Sequence, residues 1–97
     1  MTGEPEPRPV GQVPPIEDWN RLLDGKVAVV TGGGDGIGGA TSTLFAAHGA
    51  LVEVAEIDPA RAAAVVTGIE ASGGTVRAHV VDVTSASDVD RLAAEVL

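Results

Sequence analysis

Residues 31–39 read TGGGDGIGG, and few backbones are served by such a run. Glycine loses more conformational freedom on folding than any other residue. It is useful where φ must be positive or where another group must approach the chain closely. The run therefore marks a shaped loop rather than the interior of a helix or strand. Its flanks show what it joins. Residues 26–31 (KVAVVT) form a β-branched apolar run too short for a helix, which predicts a buried strand. Beyond the loop, Ile37, Ala40, Thr41, Leu44 and His48 recur at helical spacing, and Gly49 supplies a left-handed stop. His48 closes that helix, where a partly positive ring suits the dipole.

The same alternation repeats downstream. Residues 50–55 (ALVEVA) predict a second strand. Asp58 and Pro59 suit a helix start, and Ala62, Val66 and Ile69 continue at helical spacing to Gly73-Gly74, with Gly68 a weak point. Residues 75–81 (TVRAHVV) predict a third strand, within which His79 reads as structural. Ser85 with Asp88 predicts a capping box ahead of Val89, Leu92, Ala93 and Val96. Strand and helix alternating three times with short connections imply an α/β fold: a Rossmann-type parallel sheet of strand order 3-2-1, truncated after the third helix. Aromatics make up only 2%, as Trp19 and Phe45, so the core is left to Val, Ile, Leu and Ala, which suits a parallel sheet. Residues 23–97 are read as this partial domain. Residues 1–22 are read as a proline-rich tail with a short docking helix, because Pro5, Pro7, Pro9, Pro14 and Pro15 bar regular structure. Within it Ile16, Trp19 and Leu22 or Leu23 share one helical face, predicting a turn that packs Trp19 on the body; the alternative is a tail that docks on a partner.

Charge narrows the partners. The net charge is -8, from 14 acids and 6 scattered bases, which argues against nucleic acid and against an anionic membrane surface. There is no cysteine, so disulfides and thiolate metal sites are excluded, and no metal site is expected. With no signal-peptide pattern and no membrane-length apolar run, the expected location is cytoplasmic.

A strand, a glycine loop and a helix N-terminus together suit a dinucleotide pyrophosphate. The loop turns tightly, the backbone comes close without a side chain, and the helix offers free N–H groups. Gly34-x-Gly36-x-x-Gly39 fits the general pattern, with the acid Glu56 twenty residues past Gly36 at the end of the second strand. The stretch GKVAVVTGGGDGIGGATSTLFAAHGA resembles the start of the short-chain dehydrogenase/reductase family, whose mark Thr-Gly-x-x-x-Gly-Ile-Gly falls on Thr31, Gly32, Gly36, Ile37 and Gly38. The likeness runs on through VAEIDPARA and VVDVTSASDV, covering residues 23–97. It implies that Glu56 hydrogen-bonds the adenosine ribose hydroxyls, that Asp82 and Val83 flank the adenine, and that Ile37 lies beside the pyrophosphate. The residues also admit plainer roles: Glu56 as a solvated acid at a strand end, Asp82 as a cap of the turn to the third helix, Asp58 as a helix cap. A carboxylate accepting from a 2′-hydroxyl repels a 2′-phosphate. With Asp35 and Asp58 nearby and Arg61 the one close base, NAD is favoured over NADP. Asp35 departs from the Ser, Ala or Arg more usual at its position in the family.

The resemblance also implies what to look for elsewhere. Hydride transfer in this family uses a Tyr-x-x-x-Lys pair, a Ser and an Asn-Asn-Ala-Gly segment. The sequence has no Tyr, and its one Lys is Lys26, so no catalytic residue is expected within it. The reading is a cofactor-binding N-terminal fragment of an NAD-dependent oxidoreductase that interconverts alcohols and ketones. The alternatives are a non-catalytic nucleotide-binding or partner-docking module and half of a methyltransferase. The latter usually carries an acid where Val30 stands. Without a fourth strand beside the first, the isolated chain is expected to self-associate or to remain loosely packed.

Overall fold

The computed structural model describes residues 21–97. Their order is β1 (Val27–Thr31), α1 (Gly36–Ala47), β2 (Leu51–Glu56), α2 (Pro59–Ala71), β3 (Thr75–Val80) and α3 (Ala86–Val96). The three strands form one parallel sheet in which β2 is central, giving the order 3-2-1. Val27 pairs with Leu51 at one end of the sheet, and Glu56 with Val80 at the other. The alternating strand–helix sequence thus folds as the Rossmann-type α/β half that it suggests. Residues 1–20, and with them the tail and Trp19, lie outside the described residues.

Each helix stops and starts for a local reason. At the end of α1, Gly49 takes φ +93, its N–H donates to the Ala46 carbonyl, and the Ala50 N–H donates to Phe45. Gly73 does the same after α2 at φ +84, with Gly73 donating to Glu70 and Gly74 to Ile69. Both are the paired closure that lets a left-handed glycine satisfy the last carbonyls of a helix. The Ala50 amide is therefore spent on the helix stop, so β2 runs one residue later than 50–55 and takes in Glu56. Asp58 caps α2 by accepting from the Ala60 and Arg61 N–H groups, with Pro59 in the first turn.

The two faces of the sheet are covered unequally. Val30, Val52, Val54 and Val76 meet Ala46 of α1 and Val65 and Ile69 of α2 in the main core. On the other face α3 contributes only Leu92 and Val96, over Ala55 and Val81. Val27 and Val29 of β1 point to that second face and stay 57% and 48% exposed.

One helix face differs from the sequence expectation. Ile37 and Leu44 of α1 do not turn inward; the buried residues of that helix are Ser42 and Ala46. The small-residue side faces the sheet because Gly38 must lie on the backbone of the loop: a Cβ there would stand 2.0 Å from the Gly32 carbonyl oxygen. The capping box of α3 is also split. Ser85 accepts from the Asp88 N–H as expected, but the Asp88 carboxylate accepts from the N–H of Asp82 rather than from Ser85.

Candidate nucleotide site

The glycine loop is fixed from three sides. Gly32 leaves the strand at φ +62, and its N–H still donates to Ala55 at 2.7 Å, prolonging the ladder with β2. Gly33 is pressed among the Val30 carbonyl, the Ser42 hydroxyl and Val54, where a Cβ would come within 2.8 to 3.0 Å. The Ser42 hydroxyl, fully buried, lies 2.9 Å from the Gly38 carbonyl and 3.1 Å from the Gly33 carbonyl, so its single proton ties helix to loop. Sequence reasoning passes over Ser42; the available signal is a serine one turn beyond Gly38, among glycines and alanines.

Glu56 reaches the loop from β2. Its Oε1 accepts from the Gly34 N–H at 3.1 Å and its Oε2 from the Asp58 N–H at 3.1 Å, and the residue is only 5% exposed. A Cβ on Gly34 would sit 2.8 Å from Glu56 Cγ, so glycine there is what lets the carboxylate come alongside. Glu56 is thus no loose solvated acid at a strand end. It staples the strand end to the loop and to the start of α2.

The N-terminus of α1 is left open. Asp35 holds the cap position in extended conformation (φ -155, ψ 163), yet its side chain bonds none of the first-turn N–H groups. Those groups have no intrahelical acceptor and carry the positive end of the helix dipole. Both α2 and α3, by contrast, are capped by a side chain. Gly36 begins α1 at φ +56, with nothing within 4 Å of where its Cβ would stand. Thr31 and Ile37 are exposed beside it, Ile37 to 88%. The Asp35 carboxylate instead faces Arg61, 3.5 Å away, and Arg61 is also 3.8 Å from Asp58.

Asp82 and Val83 follow β3. Asp82 Oδ1 accepts from both the N–H and the hydroxyl of Thr84, at 2.9 and 2.6 Å. These two bonds, the hydroxyl first, hold its carboxyl below the usual aspartate value. Asp82 therefore caps its own turn, and Val83 beside it is exposed. Thr31, Gly32, Gly36, Ile37, Gly38, Glu56, Asp82 and Val83 all lie at or just beyond the C-terminal ends of the strands, where open parallel sheets bind ligands.

The histidines lie elsewhere. His48 caps α1, but its Nδ1 is buried without a hydrogen-bond partner among the described residues, so this nitrogen bonds none of the last carbonyls. His79 has the structural role expected of it: its ring nitrogens face Glu53 at 2.6 Å and Glu95 at 2.7 Å. Glu53 is wholly buried in the middle strand and also accepts from Arg77. Burial alone would raise its carboxyl, yet the hydrogen bonds from Arg77 and His79 outweigh that and hold it below the ordinary value. Among the described residues, no group of three or more acids and histidines could hold a metal ion, and no helix is long and apolar enough to cross a membrane.

A strand ending in Thr31, a loop whose glycines admit the backbone of α1 and a carboxylate from the next strand make up the architecture that residues 26–97 share with a family profile described as short chain dehydrogenase. The chain belongs to the short chain dehydrogenase family. The sex determination protein tasselseed-2 of Zea mays is 48% identical over 71 residues, covering 73% of this chain and 20% of that protein. A 7 alpha-hydroxysteroid dehydrogenase complexed with NADH and 7-oxo glycochenodeoxycholic acid superposes with a TM-score of 0.75 at 41% identity, over 78% of this chain and 30% of that one. A metagenomic short-chain oxidoreductase in complex with NADP gives a TM-score of 0.75 at 36% identity, over 77% of this chain and 34% of that one. The chain thus spans between a fifth and about a third of the length of these relatives.

Proposed function

We propose that residues 23–97 bind the adenosine diphosphate part of a nicotinamide dinucleotide, as the cofactor half of an oxidoreductase that transfers hydride between alcohols and ketones. The observation that carries this reading is the uncapped N-terminus of α1, set in a loop with open space at Gly36. Backbone N–H groups in that setting suit a pyrophosphate. Relatives of similar fold hold NADH in one case and NADP in another, which supports the ligand class.

The preference proposed is for NAD. Glu56 has used two acceptor positions on the loop and on Asp58, and a carboxylate offers about four. The two that remain serve ribose hydroxyls and repel a 2′-phosphate. Arg61, which could answer a phosphate, is already engaged by Asp35 and Asp58. Asp82 and Val83 are proposed to border the adenine, and Ile37 the pyrophosphate. When bound, the dinucleotide supplies the hydride acceptor; these residues hold and orient its adenosine end. The proton transfer is proposed to fall to a tyrosine–lysine pair outside these 97 residues, which contain no Tyr.

The test is titration of the chain with NADH, followed by the polarisation of nicotinamide fluorescence, against a Gly36→Val variant. Valine at positive φ is strained and places a side chain over the open helix end. Saturable binding by the parent that is lost in the variant is expected. No binding by a folded parent, or equal binding by both, would contradict the proposal.

A further inference from the structure

Aspartate followed by glycine is a chemically labile pair. The glycine nitrogen attacks the aspartate Cγ and gives up its proton as the Cγ hydroxyl leaves as water, closing a five-membered imide. Glycine presents no side chain to hinder the attack. Water then opens the ring at either carbonyl. Opening at the former main-chain carbonyl leaves isoaspartate, with the backbone running through Cβ and Cγ and no net change in mass. The chain carries this pair twice, as Asp24-Gly25 and Asp35-Gly36.

The fold treats the two pairs differently. Asp24 Oδ1 accepts from the Arg21 guanidinium at 2.5 Å, and the residue is backed by Gly49, whose Cβ would stand 3.1 Å from that oxygen. The Asp24 N–H donates to the Arg21 carbonyl and the Lys26 N–H to that of Leu23, so a bonded turn holds the pair. Asp35 stands at the start of α1, but its carboxylate caps no N–H group. That carboxylate is 65% exposed and 3.5 Å from Arg61, in a surface ion pair of the kind that restrains a side chain weakly. The Gly36 N–H belongs to the first turn and has no intrahelical acceptor. Nothing lies within 4 Å of where a Gly36 Cβ would stand, so the loop has room to turn.

We propose that Asp35-Gly36 is a site of spontaneous modification, converting to isoaspartate in the folded chain while Asp24-Gly25 is protected by its turn. The effect on ligand binding rests on the dinucleotide reading above; the modification itself does not. The Asp35 carbonyl accepts from the Gly39 N–H at 2.9 Å, a first-turn bond of α1. In isoaspartate that carbonyl becomes a carboxylate off the main chain, and a methylene enters the loop. The first turn of α1 then loses its acceptor where the pyrophosphate would sit.

Trypsin separates the two sites, because it cuts after Arg21, Lys26 and Arg61. Peptide 22–26 holds Asp24. Peptide 27–61 reports on Asp35 alone, since its other aspartate, Asp58, precedes Pro59, whose nitrogen carries no hydrogen. The chain is kept warm at neutral pH for several weeks, digested, and assayed by isoaspartyl methyltransferase labelling, with electron-transfer fragmentation to place the label. Peptide 27–61 should be labelled several-fold faster than 22–26, and the two should react alike when the chain is aged in urea. Equal or faster labelling of 22–26 in the folded chain, or none of 27–61, would overturn the proposal. Asp35→Glu keeps the charge but would need a six-membered imide, which closes far more slowly. The aged parent should lose NADH binding in proportion to its isoaspartate, and aged Asp35→Glu should keep its own; equal loss by both overturns the consequence. A fresh parent that binds no NADH counts against the dinucleotide reading, while the labelling ratio still decides the modification.

Discussion

Among the described residues, strand β1 is the outer strand of the three-stranded sheet and pairs only with β2. Its second edge offers unpaired backbone groups, and no charge or proline within Val27–Thr31 guards it. Association with a second copy through an antiparallel β1–β1 contact would form about five backbone hydrogen bonds, worth roughly 1 kcal/mol each net. It would also cover Val27, Val29 and Leu44 of both copies, each about half exposed in the structure. Completing the burial of a half-buried aliphatic side chain gives about 1 kcal/mol, so six give about 6. The total, about 11 kcal/mol, stands against an association cost of about 4–15 kcal/mol. The expected outcome is a reversible, concentration-dependent association at high micromolar protein rather than a tight dimer. The net charge of -8 opposes it, so added salt should strengthen it. Val29→Lys removes two of the six apolar contacts and sets like charges opposite each other near the twofold axis. Sedimentation velocity should show mass rising with concentration for the parent and a monomer for the variant. A parent that stays monomeric at hundreds of micromolar, or a variant that associates equally, would refute the reasoning.

In the Val29→Lys background, two further changes test how the site is held. Gly38→Ala puts a carbon 2.0 Å from the Gly32 carbonyl oxygen, where an ordinary contact is about 3.3 Å. Helix α1 must lift by about 1 Å or more at the upper end of the usual 1–3 kcal/mol cost of overpacking. The thermal midpoint should fall by about 10–20 °C, whereas a change of a few degrees would show that the helix does not bear on the loop. Glu53→Gln removes the acceptor shared by Arg77 and His79 and should cost about 1–3 kcal/mol at neutral pH by urea denaturation. Because Glu53 is held below its reference value of 4.5, its contribution is present above that pH and lost as the pH falls through the lower folded value. Parent and variant should therefore converge in acid, and a gap that widens there would contradict the assignment.

The order and type of the elements could be read from the sequence, because β-branched runs and glycine stops act locally. The inward face of α1 could not. Its apolar residues Ile37 and Leu44 carry the helical period, but the approach of Gly38 to the Gly32 carbonyl, a tertiary contact, turns the small side inward. For the same reason Ser42 escaped notice. Glu56 was legible as an acid at a strand end. Its bonds to Gly34 and Asp58 were not, since they depend on how loop and strand lie together. Glu53 was the clearest missed signal. An acid in the middle of the apolar strand LVEVAE needs partners, and Arg77 and His79 alternate along β3 on the face that reaches it.

The measurement that bears most directly on the proposed nucleotide site is calorimetric titration of the chain with NAD and with NADP, repeated on Glu56→Ala. The parent should bind NAD more tightly, because the 2′-phosphate of NADP would meet Glu56 with Asp35 and Asp58 close by and Arg61 already paired. Glu56→Ala should narrow the difference while weakening both ligands, since the loop loses its Gly34 anchor. NADP bound more tightly than NAD by the parent, or a preference unchanged in the variant, would contradict the role given to Glu56.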